Sequence, residues 1–234
     1  MPIAERTAPH GPALPYGTDS FRAEGIVYRA VRQANELGGQ VLALPVQRIS
    51  LNNNFRALPF ACRLSVPTFM AMLEELIDFL AADGIARVVI VNAHGGNPET
   101  IQATLRHLAR RDGPFVCLLS ASQCCSAEAR AAIVHPSDHA GEGESSEVLY
   151  LRPELVRTER LGNSPMVAPA FTPLREVNAW FVRPWHRYMP DSCGGEARQA
   201  SAAKGEAVVE SSAAGLARFL HALSVAPDSE GFPY

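Results

Sequence analysis

The sequence predicts an α/β fold with a mainly parallel sheet. Between residues 20 and 120, apolar runs rich in β-forming residues alternate with segments whose apolar positions recur every three or four residues. This alternation is typical of consecutive strand, helix and strand units, which bring parallel strands together. The clearest strand covers Arg87 to Asn92, with the sequence RVVIVN. We expect at least three parallel strands.

Two strands and one helix are expected before residue 50. The first strand is expected near residue 3. A helix follows from about Phe21 to Leu37, since Thr18-Asp19-Ser20 can cap its first turn and Gly38-Gly39 can end it. The apolar run from Val41 to Val46 then predicts a buried strand.

The middle of the chain continues the alternation. Ser65, with a proline two residues later, predicts the start of a second helix that ends near Gly84. A third helix is expected within Glu99 to Arg111, followed by a strand from Phe115 to Leu119. Further strands are expected after residue 120.

The second half is less regular. Helices are expected from Glu144 to Leu151 and from Glu196 to Leu223. Between them, the segment at about 161–195 is rich in proline and aromatic residues, which predicts a folded lid or a subunit interface, because linkers are poor in aromatic residues. We expect residues 1–234 to form a single domain.

Composition excludes several classes of protein. Lys and Arg total 21 against 24 Asp and Glu, a net charge of −3, which disfavours nucleic-acid binding. The apolar stretches are far shorter than the roughly 20 residues that cross a bilayer, and the first residues show no secretory signal. We expect a cytoplasmic protein without a membrane partner, whose five cysteines are free thiols.

Three polar clusters follow strand positions, where ligands bind in open parallel sheets. The first joins His10 to Asp19 through a loop constrained by glycine and proline, and both side chains suit a divalent ion. Alternatively, Asp19 caps the next helix and His10 is a loop histidine.

The second cluster places His94 and two glycines directly after the RVVIVN strand. The third, Asp138 to Ser146, concentrates carboxylates, an imidazole and hydroxyls where a helix begins; a solvated helix cap is its alternative.

Together these clusters resemble the motifs of the creatininase (creatinine amidohydrolase) family. The family's Glu-Gln-His-Gly-Pro-His-Leu-Pro-Leu-x-Thr-Asp motif is matched by Ala8 to Asp19, and Val-Asn-Gly-His-Gly-Gly-Asn by Val91 to Asn97. The family's His-Ala-Gly-x-x-Glu-Thr-Ser motif is matched by His139 to Ser146. Leu151 to Val156 and Ala203 to Glu206 are also similar to the family, so the resemblance covers nearly the whole chain.

The resemblance implies a three-layer α/β/α fold with a divalent-metal centre, often of two ions, that hydrolyses C–N bonds in small or cyclic amides. The metal ligands that it implies are His10, Asp19, His94 and Glu144, with Asp19 bridging when two ions are bound. His139 would act beside the substrate as an acid/base or orienting group, and Glu142 is a second candidate for proton transfer, with a helix-cap role as its alternative. Zinc is the first choice of metal, and manganese and iron suit the same ligands.

The chain departs from the family at several positions. Ala8 stands where the family has its first metal-ligating glutamate, so either one metal position is lost or Glu5 reaches in from an altered loop. Gly96 and His135 stand where creatininase has an acid and a tryptophan, which argues against creatinine as the substrate.

The resulting hypothesis is a metal-dependent amidohydrolase of a small cyclic or formylated amide, acting through a metal-activated water. The alternatives are a peptidase that trims a short precursor peptide, a hydrolase of a lactone or cyclic keto-sugar, and a binding protein without catalysis, the last motivated by Ala8. The resemblance also implies a homo-oligomer, often a hexamer. The aromatic segment can line the substrate pocket or serve only in packing; its candidate residues are Trp180, Trp185, His186 and Tyr188.

Overall fold

The main sheet consists of three parallel strands that end at a common edge. A computed structural model describes residues 1–135, 139–227, 229 and 232–233. The strands are, in sheet order, β1 (Pro2–Ile3), β2 (Arg87–Asn92) and β3 (Phe115–Ser120). Ile3, Asn92 and Ser120 lie side by side in the register. The strands predicted near residue 3, over RVVIVN and from Phe115 are therefore confirmed, and they place the chain segments that follow them at one carboxyl edge.

Helices cover both faces of this sheet. They are α1 (Thr18–Glu36), α2 (Val66–Ala82), α3 (Pro98–Leu108), α4 (Ala127–Arg130), α5 (Glu142–Leu151), α6 (Pro173–Glu176), α7 (Trp185–Tyr188) and α8 (Ala202–Val225). Val89 and Val91 of β2 join a buried cluster that contains Ile26 of α1 and Leu216 of α8. Ile90, which points the opposite way, lies in a second cluster with residues of α2 and α3. This alternation makes three layers, which confirms the α/β/α fold class.

The helix boundaries follow the capping signals of the sequence. Ser65 precedes α2 and its Oγ accepts a hydrogen bond from Thr68 N at 3.3 Å. Gly84 follows the end of α2 at a φ of 81°, a conformation that favours glycine. Thr18 and Asp19, predicted as cap residues, instead lie inside the first turn of α1, because Gly17 is its N-cap.

The predicted strand from Val41 to Val46 is wrong. This segment has no ladder partner among the described residues, and the only pairing beside it joins Gln47 to Ile3. Pro45 lacks a backbone N–H and Leu42 is exposed, so this stretch cannot form a regular buried strand. The chain still runs beside β1, because Gln47 N donates to Pro2 O at 3.0 Å and Ala4 N donates to Gln47 O at 2.9 Å.

The last helix also begins later than predicted. Glu196 belongs to β5 (Gly195–Glu196), which pairs antiparallel with β4 (Asn163–Ser164), apart from the main sheet. Helix α8 starts only after Ser201, whose Oγ accepts from Lys204 N at 3.3 Å. Within the described residues, the main sheet gains no strand beyond β3, so the further strands expected after residue 120 are not part of it.

The aromatic segment 161–195 contains β4, α6, α7 and the first residue of β5. Trp185 and Met189 are buried in a cluster with Phe55, so the segment is folded against the rest of the chain. Its role as a lid or subunit interface, and the homo-oligomer, stay predictions. The five cysteines form no disulfide, as expected. None of the described helices has the length and apolarity that a membrane span requires.

A close helix crossing gives a test of this packing. A Cβ built on Gly205 of α8 would lie 1.9 Å from the carbonyl oxygen of Ser146 in α5. Gly205→Ala should therefore lower the free energy of unfolding by about 3 kcal/mol, although the same change in an exposed helix is stabilising. Gly113→Ala is the control, because no atom lies within 4 Å of its added Cβ. Chemical denaturation of both variants measures the difference, and equal stability would contradict the crossing.

Candidate metal centre

The second motif builds a rigid turn at the end of β2. Asn92 Oδ1 accepts from His94 N at 3.3 Å and from Asn97 Nδ2 at 3.1 Å, while Asn92 Nδ2 donates to His94 O at 2.7 Å. These bonds hold His94 at the wall of a cleft of about 340 Å³ on the carboxyl side of the sheet. The motif asparagines therefore position a histidine at the edge where the three strands end.

The first motif brings His10 and Asp19 together. His10 is buried, its Nδ1 donates to Ala8 O at 2.8 Å, and its Nε2 lies 3.2 Å from Asp19 Oδ1. Within the described residues, Nε2 makes no hydrogen bond. Asp19 does not cap α1: its Oδ2 lies 2.7 Å from His94 Nδ1. The capping role considered for Asp19 is therefore wrong, while His10 lies in the loop before α1.

Three histidines share one arrangement. His10, His94 and His139 each point one ring nitrogen at a backbone carbonyl, of Ala8, Leu51 and Pro9, at 2.8, 2.9 and 2.8 Å. A carbonyl only accepts hydrogen bonds, so that nitrogen carries the ring hydrogen, and in the neutral form of each ring the other nitrogen keeps a lone pair. Histidines that bind metals are typically fixed in this way.

The ligand-type atoms of His10, His139 and Glu144 all lie within 4.8 Å of one another. The rings of His10 and His139 stack with centroids 4.0 Å apart. Glu144 Oε2 lies 3.8 Å from His10 Nε2 and accepts from Ala140 N at 2.8 Å. The structure thus brings His139 into the cluster of possible ligands. His94 lies on the far side of Asp19 and is not part of that cluster.

Arg22 is a member of this site that the sequence analysis missed. Its Nη1 donates to Glu144 Oε1 at 2.6 Å and lies 3.8 Å from Asp19 Oδ1, while its Nε donates to Glu147 Oε2 at 2.7 Å. Arg22 and Glu147 are both buried. The available signal was a charged side chain one turn from Asp19 and one turn from Ile26, on the apolar face of α1.

Opposite charges in the site favour the ionised forms of Asp19, Glu144 and Arg22. Burial alone would raise the pKa of Asp19 and Glu144, but the histidines hold that of Asp19 well below its usual range, and Arg22 lowers that of Glu144. Burial opposes a charged Arg22, yet Glu147 and Glu144 raise its pKa. Both carboxylates are therefore ionised at neutral pH.

The histidines differ in charge. Burial, followed by the charge of His10, lowers the pKa of His139 to about 4, so this ring is neutral at pH 7. Burial also acts to lower the pKa of His10 and His94, but the neighbouring Asp19 outweighs it and raises both. His10 and His94, the two histidines beside the ionised Asp19, therefore take up a proton more readily than His139.

Ala8 stands at the position of the family's glutamate ligand, and Glu5 is the nearby residue considered as its replacement. Ala8 is buried against Phe55 and Trp185. Glu5 does not replace the missing glutamate, because its carboxylate accepts from Thr7 and Ser50, through the backbone N–H and the hydroxyl of each, at 2.7 to 3.1 Å.

Gly96 has no room for the acid that creatininase carries at this position. An added Cβ would lie 2.7 Å from both His94 Nε2 and Leu51 O. The hydrogen bond between those two groups therefore occupies the space that a side chain at residue 96 would need.

Glu142 lies away from the cleft. Its Oε1 accepts from Lys204 Nζ and its Oε2 accepts from His135 N at 2.7 Å. Both carboxylate oxygens thus tie the start of α5 to α8 and to residue 135. This position favours a structural role over the proton transfer considered from the sequence. Asp138, the first residue of the third motif, lies outside the described residues.

The predicted substrate residues separate into two groups. Trp185 lines the cleft, with its ring 4.7 Å from that of His139 and edge-on to it. Trp180 is 80% exposed, and His186 and Tyr188 are not among the described residues that line the cleft. The cleft wall also includes residues that the sequence analysis missed: Asn54, Phe55, Ser120 and Arg183.

Comparisons with known proteins agree with these motifs. The model of the creatininase family, described as creatinine amidohydrolase, matches residues 7–220. The mycofactocin precursor peptide peptidase of Mycobacterium ulcerans (strain Agy99) is 33% identical over 190 residues, which cover 76% of this chain and 69% of that protein. The protein of the same name from Mycolicibacterium smegmatis is 27% identical over 176 residues, 72% of this chain and 65% of its own length.

Solved structures show the same fold. A candidate creatinine amidohydrolase from Bacteroides fragilis NCTC 9343 superposes with a TM-score of 0.86 at 27% identity, covering 98% of this chain and 91% of its own. A manganese form of creatininase gives a TM-score of 0.75, and a zinc-zinc form of a creatininase mutant gives 0.73. Each of these two is 22% identical and covers 96% of this chain and 90% of its own.

The position of Glu142 can be tested by stability. Glu142→Gln removes the charge that holds Lys204 and should lower the free energy of unfolding at pH 7 by about 2 kcal/mol. Burial would raise the pKa of Glu142, but Lys204 and the His135 N–H lower it, so the ionised form stabilises the fold above the ordinary pKa. That contribution is lost as the pH falls through the lowered pKa, so the two proteins should have the same free energy of unfolding in acid.

Chemical denaturation between pH 3 and 8 measures this difference, and the variant Glu159→Gln, at an exposed position, is the control. A Glu142→Gln protein that keeps its full stability but loses turnover would favour a catalytic Glu142.

Proposed function

This chain belongs to the creatininase family, and on that premise we propose that it is a metal-dependent hydrolase of an amide C–N bond. The observation that carries the proposal is the cluster of the buried His10 and His139 with the half-buried Glu144, whose ligand-type atoms converge within 4.8 Å. A peptide bond of a short peptide is the first candidate substrate, because two relatives are named peptide peptidases. A small cyclic or formylated amide is the second candidate, supported by a cleft of only about 340 Å³.

The donor atoms of this chain fit a divalent ion. His10 Nε2 is buried without a hydrogen bond and faces Asp19 Oδ1 at 3.2 Å. Both atoms carry lone pairs when His10 keeps its hydrogen on Nδ1, so this contact is favourable only with a proton or a cation between or beside them. Two imidazoles and a carboxylate suit zinc, manganese or iron and leave a position open for water. Relatives of the same fold include manganese and zinc forms.

We assign His10, His139 and Glu144 as the ligands, with Asp19 beside them. The bound ion supplies a water of lowered pKa and polarises the carbonyl of the substrate. His94 takes a different role from the one the family motif implies. Its Nδ1 lies 2.7 Å from Asp19 Oδ2 on the cleft wall, and we assign this pair as the group that would deliver a proton to the leaving nitrogen.

The remaining cleft residues bind and orient the substrate. Trp185 offers an apolar wall beside His139, and it contacts Phe55 with ring centroids 4.6 Å apart. Arg183 lies on the same wall, with its guanidinium 4.3 Å from the ring of Tyr188. A cationic side chain at an aromatic wall favours a substrate that carries a carboxylate, such as the end of a peptide.

Two variants separate the ligands from the proton-holding pair. His10→Ala should abolish stoichiometric binding of the ion and all turnover, because it deletes a ligand. His94→Ala should retain one ion per chain at saturating metal, with an affinity reduced about 10-fold to 100-fold, and lose turnover. Metal content by mass spectrometry after desalting measures both. Loss of the ion in His94→Ala would restore His94 to the ligands.

The substrate class can be tested with a panel of short peptides, cyclic amides, formylated amines and lactones. We expect the metal-loaded protein to release an amine from at least one amide, with peptides cut first, and His10→Ala to release none. Chromatography of the products identifies the bond that is cut. A chain that binds its ion but cleaves no member of the panel would favour the binding protein without catalysis.

A further inference from the structure

Two buried charges of the site have no part in the hydrolysis proposed above. Arg22 and Glu147 are 8% and 3% exposed and are joined by two hydrogen bonds, at 2.7 and 3.3 Å. A buried pair of this kind gains little stability over apolar side chains of the same size. Stability alone therefore does not account for a buried pair of Arg22 and Glu147 beside the ligand cluster.

Arg22 stands where positive charge is needed. Its Nη1 lies 2.6 Å from Glu144 Oε1 and 3.8 Å from Asp19 Oδ1, so one guanidinium nitrogen faces both carboxylates of the centre. A divalent ion held by His10, His139 and Glu144 would lie close to the same two carboxylates. Arg22 thus occupies one of two cationic positions around Glu144 and Asp19.

The chain has also lost carboxylates that a second ion would use. Ala8 has no ligand atom, residue 96 has no space for a side chain, and the Glu5 carboxylate is taken up by Thr7 and Ser50. On the His94 side of Asp19, the described residues offer only His94 and Asp19 themselves as ligands. Two protein ligands are fewer than the three or four that zinc sites use.

We propose that the Arg22 guanidinium supplies the second cation of this centre, so that the protein binds one divalent ion per chain. The inference rests on the proposed metal site. The local charges balance on this basis, because the three carboxylates of Asp19, Glu144 and Glu147 are offset by Arg22 and one divalent ion. Glu147 holds the guanidinium in place, which makes it a positioning residue.

Metal counting on the full-length protein tests the proposal. Purified protein is stripped of metal, titrated with Zn²⁺ or Mn²⁺ in a calorimeter, desalted and counted by mass spectrometry. The unmodified chain should bind one ion and no second ion at excess metal. Arg22→Met leaves one carboxylate charge too many and releases the oxygens of Glu144 and Glu147 that the guanidinium holds, so it should gain a second ion at the place of the guanidinium rather than beside His94. Arg22→Met combined with Glu147→Met restores the balance, and Arg22→Lys keeps the charge, so both should bind one ion.

A replacement variant keeps the test decisive. If Arg22→Met does not fold, Glu147→Gln replaces it: this variant should still bind one ion, at least 10-fold more weakly, because a nearby negative charge is lost. Two ions on the unmodified chain, or an unchanged affinity in Glu147→Gln, would overturn the role of Arg22 and leave the hydrolase standing. A chain that binds no ion would overturn the proposed function itself.

Discussion

The candidate site depends on one electrostatic constraint, which is that lone pairs face one another in a buried space. Each histidine of the site gives its ring hydrogen to a backbone carbonyl, so the opposite nitrogens of His10 and His94 point at Asp19 oxygens 3.2 and 2.7 Å away. Such contacts repel unless a positive charge stands among them. In the hydrolase that we propose, a proton would meet this need between His94 and Asp19, and a divalent ion together with Arg22 would meet it beside His10 and Glu144.

The scaffold holds these groups through spacing along its helices. Asp19 and Arg22 lie one turn apart on α1, and Glu144 and Glu147 lie one turn apart on α5, so two helices present paired charges to each other. Helix α8 packs closely on α5 at Gly205. This contact helps to position α5, whose Glu144 and Glu147 bind Arg22 of α1. The sheet contributes His94 through the turn after β2.

The chain shares its fold with the family but differs from it at residues of the candidate site. The fold, the motifs and the relatives place the chain among creatininase-type hydrolases. In our proposal, the changes at residues 8 and 96, together with the buried pair of Arg22 and Glu147, alter the charge and the number of metal ligands. A common fold permits different metal numbers and substrates.

The sequence by itself determined the parallel sheet, the helix start at Ser65, a helix start at Glu144 that lies two residues after the observed one, and the motif residues that gather at one edge, because these depend on local periodicity, capping and strand order. It misjudged the run after Val41, where Pro45 and exposure override an apolar pattern. Only the tertiary structure decided that Glu142 turns to Lys204, that His139 joins His10 and Glu144, and that Arg22 enters the site. Those outcomes depend on contacts among α1, α5, α8 and the loops that hold His10 and His139, and residues more than 60 positions apart leave no local signal of their contact.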